Sequence, residues 1–430
     1  MKTWIVIGAL LLMTLPAISQ DQKSYQIDLQ SAIKMALEHN PSVASVKEGE
    51  SIAHARLNQA RSINALRLNI NSSYTYVSKP TLFGGITVLD KNTNMNTINA
   101  SKPIYTGGIS EAAVEQAKWG VEASGKQTQT AQEELVLAVT VSYVQALKAR
   151  DSIRVADDAV AFLQTNLDAA VKMMDAGVAP KSDVFRAETE LASAKDGQIQ
   201  AQTAYKSQLA QLRDLLSLDP DSTLSLSDII SDIVSVNVKM SSDKSESKRV
   251  EIQALEDAVK AAQANVKRAQ SGMKPTVNLN ADFLNIGTGA EFPRANNTFS
   301  AGISASFPLN DGGATKANTD EARAQLRKTE RDLESMKQRV SFEKEQAKLA
   351  LENAVARTTS SDVRLKSAQE SARALKVSYQ EGIAPITDLL GARAALTEAE
   401  SAKVNSQYDR YITQVQVLKA DGQIMSIVQQ

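Results

Sequence analysis

The sequence predicts a mainly α chain with a β membrane portion, built as a duplicated unit of long coiled-coil helices plus four transmembrane strands. Three observations carry that fold class. Apolar residues step by three and four over long stretches, four short segments alternate with period two, and the order of these features repeats after 205 positions. The repeat is clearest between "MMDAGVAPKSDVFRAETELASA" from Met173 and "SYQEGIAPITDLLGARAALTEA" from Ser378. Gly177, Ala179, Pro180, Asp183, Ala187, Leu191 and Ala194 return there as Gly382, Ala384, Pro385, Asp388, Ala392, Leu396 and Ala399.

In chain order, the 430 residues open with Lys2, an apolar core from Trp4 to Leu15, Pro16, and small residues at Ala17 and Ser19. That is the pattern of a secretory signal, 1–19, cut after Ser19. Beyond it no run reaches the roughly 20 apolar residues of a spanning helix. Residues 20–219 are expected to form the first repeat, 220–249 a linker, 250–423 the second repeat and 424–430 a short tail.

Each repeat reads as a short helix, a strand pair and two further helices. In the first repeat the helices are expected at Val43 to Arg67, Ile109 to Asp175 and Lys181 to Leu216. At about 1.5 Å per residue the long helix spans roughly 100 Å and the other two, end to end, roughly 90 Å, so the short pair can stack along the long one. Ile153, Ala156, Val160, Leu163, Leu167, Ala170 and Met174 step as a heptad seam. Val184, Ala187, Leu191, Ala194, Gln198, Ala201 and Tyr205 continue it after the turn, and Leu389, Ala392, Leu396 and Ala399 copy it. Helices packed in such a seam cannot lose one residue without rotating a face out of it, which explains the strict register of the two copies. Gly177 and Gly382 suit a helix end that turns through positive φ, and Pro180 and Pro385 suit the entry to the next helix. The segment from Pro220 to Val250 fits neither period and is expected to wrap around the helices between the units.

The strands follow from period two. "TFSAGISASFP" puts Phe299, Ala301, Ile303, Ala305 and Phe307 on one face and Ser300, Gly302, Ser304 and Ser306 on the other. "TVNLNADFL" opposes Val277, Leu279, Ala281 and Phe283 to Asn278, Asn280 and Asp282, and "LRLNINSSYTYV" aligns Leu68, Ile70, Tyr74 and Tyr76. "NTINASKPIY" is a weaker fourth strand. An apolar face opposite Asn, Ser and Asp is the pattern of a membrane β-barrel with a wet lumen; an exposed antiparallel sheet shares the same period. Strands of ten residues, rising about 33 Å and tilted, match an outer-membrane band. About eight strands are needed to close a filled barrel, and open edges in lipid leave backbone groups without partners. Several chains must therefore contribute strands to one barrel, and three would give twelve.

Composition excludes most chemistry. With 48 basic and 49 acidic residues the chain is almost neutral, which gives no sign of a nucleic-acid partner. Cysteine is absent, removing disulfides, thiol catalysis and a lipoprotein anchor. His39 and His54 lack carboxylates at ligand spacing, so they read as helix-surface residues rather than metal ligands. No phosphate loop, nucleophile elbow or dinucleotide fingerprint is present. The reading is of no catalytic site, no metal and no cofactor. Its rival is a soluble periplasmic coiled-coil scaffold whose strands form an oligomerisation sheet.

Along nearly the whole mature chain the residues resemble the TolC-like outer-membrane efflux protein family. "IDLQSAIKMALEHNPSV" is similar to its N-terminal helix signature, "PIYTGG" and "PLNDGG" to its strand-to-helix junctions, and "DAGVAPKSDV" and "EGIAPITDL" to its periplasmic tips. The resemblance implies a homotrimer in the outer membrane of a Gram-negative bacterium, with a twelve-stranded β-barrel and a periplasmic α-helical barrel. Such a duct is passive and works with a periplasmic adaptor (membrane fusion) protein and an inner-membrane RND or ABC transporter. By that likeness Gly177, Val178, Ala179, Gly382, Ile383 and Ala384 are adaptor-docking tips, and Asp388 matches a carboxylate ringing the closed pore entrance. Three such charges about an axis would attract cations and titrate together. Gly391 and Ala384 stand where relatives often carry a second acid and a basic residue, so the resemblance does not extend to the usual gate-locking ion pairs. Asp388 equally suits a helix N-terminus, where the dipole favours a carboxylate.

Overall fold

The computed structural model describes residues 24–84, 86–89, 91–227, 249–288 and 295–428. The expected signal segment and most of the linker lie outside the described residues.

The duplication is visible in element lengths. α2 (Pro41–Arg61) and α5 (Val250–Gln270) have 21 residues each, α3 (Ile109–Asp175) and α6 (Ala314–Gln380) 67 each, and α4 (Lys181–Leu215) and α7 (Ile386–Ala420) 35 each. A further helix, α1 (Leu29–His39), precedes α2, with Asp28 accepting a hydrogen bond from the Ser31 amide at its N-cap. α3 packs against α2 and α4, as the expected stacking requires, and also against α5 and α7; α6 packs against α5 and α7.

The stack has a joint, and the joint is duplicated. Asn40 caps α2 by accepting from the Ser42 amide, and its Nδ2 donates to the Leu215 carbonyl at the end of α4, 3.0 Å away. In the second unit Arg249 precedes α5 and donates from its guanidinium to the Ala420 carbonyl at the end of α7, 3.3 Å away. Each contact supplies a donor to a carbonyl orphaned at a helix C-terminus. Arg249 is almost wholly buried, with Glu251 at 2.8 Å and Glu343 at 3.2 Å. Beside it Glu133 of α3 is also buried.

The main core sits at this level. Ile33, Val136, Val139, Tyr143, Val144, Leu147, Leu212, Leu216, Tyr408, Val415 and Ile424 belong to one buried cluster. Over it lie two parallel strands, β1 (Ser24–Ile27) and β6 (Thr223–Leu226). Tyr143 pins them, its hydroxyl donating to the carbonyls of Ile27 and Ser227 at 3.1 and 2.8 Å. The described start of the linker segment is therefore a strand seated on the chain's own N-terminal segment; the rest of the expected wrapping falls outside the described residues.

The four strands form one antiparallel sheet in the order β2 (Arg67–Tyr76), β5 (Asn92–Tyr105), β7 (Thr276–Thr288), β8 (Ala295–Ser306). A small hairpin of β3 (Thr81–Phe83) and β4 (Ile86–Leu89) lies between β2 and β5. Two expectations need correction. α2 ends at Arg61 rather than Arg67, through a 3₁₀ turn at Ser62–Asn64, because the alternating Arg67–Tyr76 run pairs with β5. The segment expected as a weak strand is a central one of 14 residues, and the bulge between Pro103 and Tyr105 absorbs the proline, which cannot donate to the ladder.

Candidate functional site: a half-polar sheet and paired helical tips

Pairing places side chains in rows across the sheet. Ile70, Ile98, Phe283 and Phe299 are cross-strand neighbours in one row, and Leu68, Ala100, Ala281 and Ala301 in the next. Ile70, Phe299 and Ile303 are each more than 70% exposed, so this face is an apolar surface that the single chain leaves bare. The opposite face carries Asn69, Asn99, Asp282 and Ser300 in one row, with the Asn99 amide donating to Asp282. That is the lipid-out, water-in alternation expected from the sequence.

In β7 the alternation inverts after Phe283, with Asn285 on the apolar face and Leu284 and Ile286 on the other, whereas β2 keeps Tyr74 and Tyr76 on the apolar face. On the apolar face the row beyond Phe283 is Ser72, Asn96, Asn285 and Asn297, joined by side-chain hydrogen bonds of 2.6, 3.2 and 2.8 Å. Each side chain in this ladder satisfies its neighbour. The ladder is built from strand residues, since β5 begins at Asn92, β7 runs to Thr288 and β8 begins at Ala295.

The other end of the molecule is the pair of helical tips. Gly177 and Gly382 have φ of +75° and +73°. In each, the glycine amide donates back to Met174 or Tyr379, and the next amide to Met173 or Ser378, the bond pattern of a Schellman stop. A Cβ on Gly382 would meet nothing within 4 Å, so backbone conformation, not crowding, calls for glycine there. Val178 and Ile383 project at the apices, 76% and 74% exposed; Ala179 and Ala384 follow them and are half-buried. Pro180 and Pro385 then open α4 and α7 with extended backbone.

The two tips lie together. Tyr379 donates to the Met173 sulfur at 3.6 Å, and Leu163, Ala170, Val184, Ala187, Leu191, Ile386 and Leu390 share one buried cluster. Burial and the nearby charge of Asp183 push the Tyr379 phenol above its usual pKa. Asp388 is exposed in the first turn of α7, and Thr387 donates to it at 3.4 Å. It shares this end of the chain with the six tip residues, and the single chain brings no second Asp388 near it.

Arg393 was not singled out by sequence. It is 8% exposed, lies 5.1 Å from the Phe162 ring, and pairs with Glu400 at 3.7 Å, lining a groove of about 510 Å³ between α3, α4 and α7. Burial raises the Glu400 carboxyl, which Arg393 partly offsets. The available signal was a second seam in α7: Ile386, Leu390, Arg393, Thr397 and Glu400 step by four and three beside the Leu389 seam, marking a helix packed on two sides. His39 bonds the Met35 carbonyl of its own helix, and no cluster of metal-ligating side chains occurs among the described residues. No helix among them is long and apolar enough to cross a membrane.

Comparison with known proteins agrees with this architecture. The outer membrane efflux protein family matches residues 32–217 and 242–423. The chain is 23% identical over 443 residues to outer membrane protein TolC of Escherichia coli, covering 94% of this chain and 83% of that one. It is 23% identical to the alkaline protease secretion protein AprF of Pseudomonas aeruginosa, covering 96% and 86%. The crystal structure of the outer membrane protein VceC of Vibrio cholerae superposes with a TM-score of 0.78 at 19% identity, covering 92% of this chain and 96% of the other. The chain belongs to the outer membrane efflux protein family and is an outer-membrane protein with a large periplasmic helical portion.

Proposed function

We propose that three copies of this chain close a twelve-stranded barrel in the outer membrane and a helical tunnel beneath it. Together they form the passive exit duct of a tripartite efflux or type I secretion system. The observation that carries the proposal is the sheet: four strands, one bare apolar face, and two outer edges, β2 and β8, without partners among the described residues. Such a sheet is stable in lipid only when further strands close it. The description of the family and the name of AprF support efflux and protein secretion as the two kinds of transport. The division into two repeats, 20–219 and 250–423, is part of the same proposal.

In this duct no residue performs chemistry. A periplasmic adaptor docks at Gly177, Val178 and Ala179 and at Gly382, Ile383 and Ala384, where exposed Val178 and Ile383 offer apolar anchors. The adaptor connects the duct to an inner-membrane RND or ABC transporter. Asp388, exposed near the tips, meets its two copies around the axis and forms an acidic constriction that opens when the tip helices swing outward. Planar-bilayer recording tests both parts. The purified protein is expected to give discrete cation-preferring currents, and Asp388→Ala to widen conductance and weaken that preference. Unchanged conductance and preference in the variant would remove Asp388 from the pore, and absence of any current would remove the duct.

A further inference from the structure

A cavity of about 660 Å³ lies between α2, α3 and α5, beside the start of β2. Three arginines line it: Arg56 from α2, Arg67 from the first position of β2 and Arg268 from α5. Gln59, Ser62 and Gln116 add neutral polar groups, and no carboxylate lines it. Its floor is roomy because α3 brings Ala113, Ala117 and Gly120 to it, and a Cβ on Gly120 would meet nothing within 4 Å. Among the described residues none of the three arginines is held in an ion pair. Arg268 donates to Asn265 of its own helix at 2.9 and 3.2 Å. Carboxylates of the neighbouring turns are engaged elsewhere, Glu115 with Lys267 at 3.0 Å and Asp257 with Lys260 at 2.9 Å.

The chain carries its own comparison. α2 and β2 map onto α5 and β7 by 209 residues, and α3 maps onto α6 by 205. The equivalent place in the second unit, between α5 and α6, is a cavity of about 480 Å³. There Asn265 and Glu321 stand where the first cavity has Arg56 and Gln116, and Thr276 heads β7 where Arg67 heads β2. The second cavity sets one acid against Arg268, whereas the first gathers three positive charges without an acid. A cavity of this shape therefore folds without the extra arginines, and their presence in the first calls for another cause.

Arg67 belongs to the sheet row Arg67, Ser101, Asn280 and Gly302, on the face opposite Leu68 and Ile70. We infer that the cavity is a binding site for a small soluble polyanion carrying phosphate groups. The site lies within one chain; its position facing the lumen, where barrel meets tunnel, rests on the duct reading. Arginine's planar fork pairs with two oxygens of a phosphate, three forks match three or more negative charges, and the volume suits a small molecule. A monovalent anion gains too little from exposed arginines to be held. Asp388 stands beyond the far end of α3, a helix of 67 residues. That separation far exceeds the roughly 10 Å over which exposed charges act at about 0.1 M salt, so the acidic tips and the basic neck work independently.

Tripolyphosphate is the probe, titrated calorimetrically into the full-length protein in a neutral detergent at about 50 mM salt, where screening is weak. Saturable binding at one site per chain is expected. Arg56→Gln, Arg67→Gln and Arg268→Gln are each expected to weaken it roughly three- to tenfold. Gln116→Glu, which copies the acid of the second cavity, is expected to weaken it more than about tenfold. That variant leaves every arginine in place, so its effect does not depend on how an arginine variant packs. Arg61→Gln removes a charge from the same end of α2 outside the cavity and is expected to keep the affinity within about twofold. Absence of saturable binding overturns the site, and so does an equal loss in Arg61→Gln, which would mark diffuse surface attraction. Copurifying anionic phospholipid lost only in the cavity variants would make a lipid headgroup the occupant and overturn the soluble ligand. Binding by a protein that conducts no current in a planar bilayer would keep the site and remove the duct; current without binding would keep the duct and remove the site.

Discussion

Gly382 and Glu133 show what single residues do in this chain. The tip turn needs φ of +73° at Gly382, a conformation that costs a β-carbon-bearing residue about 1–2 kcal/mol. Gly382→Val is therefore expected to distort the tip and lower export severalfold in a drug- or protein-efflux assay, while trimers persist on gels; loss of trimers would assign the glycine to folding. Glu133 is 3% exposed, and burial first, then the Glu251 charge, raise its carboxyl pKa above 4.5, while Gln129, Arg249 and Lys419 act in the other direction. The native state thus holds a proton that the unfolded chain releases at lower pH. Stability falls as pH rises between the ordinary and the raised value, and the cost is complete above it. Glu133→Gln, neutral throughout, is expected to unfold at higher temperature than the parent near pH 7 and at the same temperature near pH 4. An equal shift at both pH values would show that packing, not charge, is responsible.

At the scale of elements, the sequence was legible wherever one period ran without interruption. The heptad steps from Ile153 to Met174 and the tip glycine and proline located the ends of α3 and the start of α4 to the residue. Legibility failed where two tendencies meet. The helix before β2 ends six residues short of its expected bound because Ile63 and Leu66 extend a helical spacing into a segment that strand pairing claims. The length of β5 was missed because Asn92, Asn94 and Asn96 carry no apolar alternation, and their role appears only when Asn96 is seen bonded to Ser72 and Asn285. That ladder is expected to mark where lipid ends. Asn285→Cys is expected to react with a charged, membrane-impermeant thiol reagent added outside the cell, and Phe299→Cys to resist it. Equal protection of both would place the ladder inside the hydrocarbon. Arg393 was invisible for a related reason, since a charge at a seam position is read as surface until a second packing partner is known.

At the scale of the molecule, the four-stranded sheet ends in two edges without partners among the described residues. One flank ends in β2 and α2, the other in β8 and α6. The edge strand β8 and α6, with Phe342 and Leu349 exposed, belong to the second flank. The same joint, capped by Asn40 in one unit and Arg249 in the other, lets two short helices imitate a long one, so that each unit presents helices of matched length to its neighbours. In the proposed trimer, duplication gives every copy two units of matched helix length. The most direct test is the native mass of the protein extracted from the outer membrane in mild detergent. A particle of three chains is expected, and a stable single chain would contradict the shared barrel and everything built upon it.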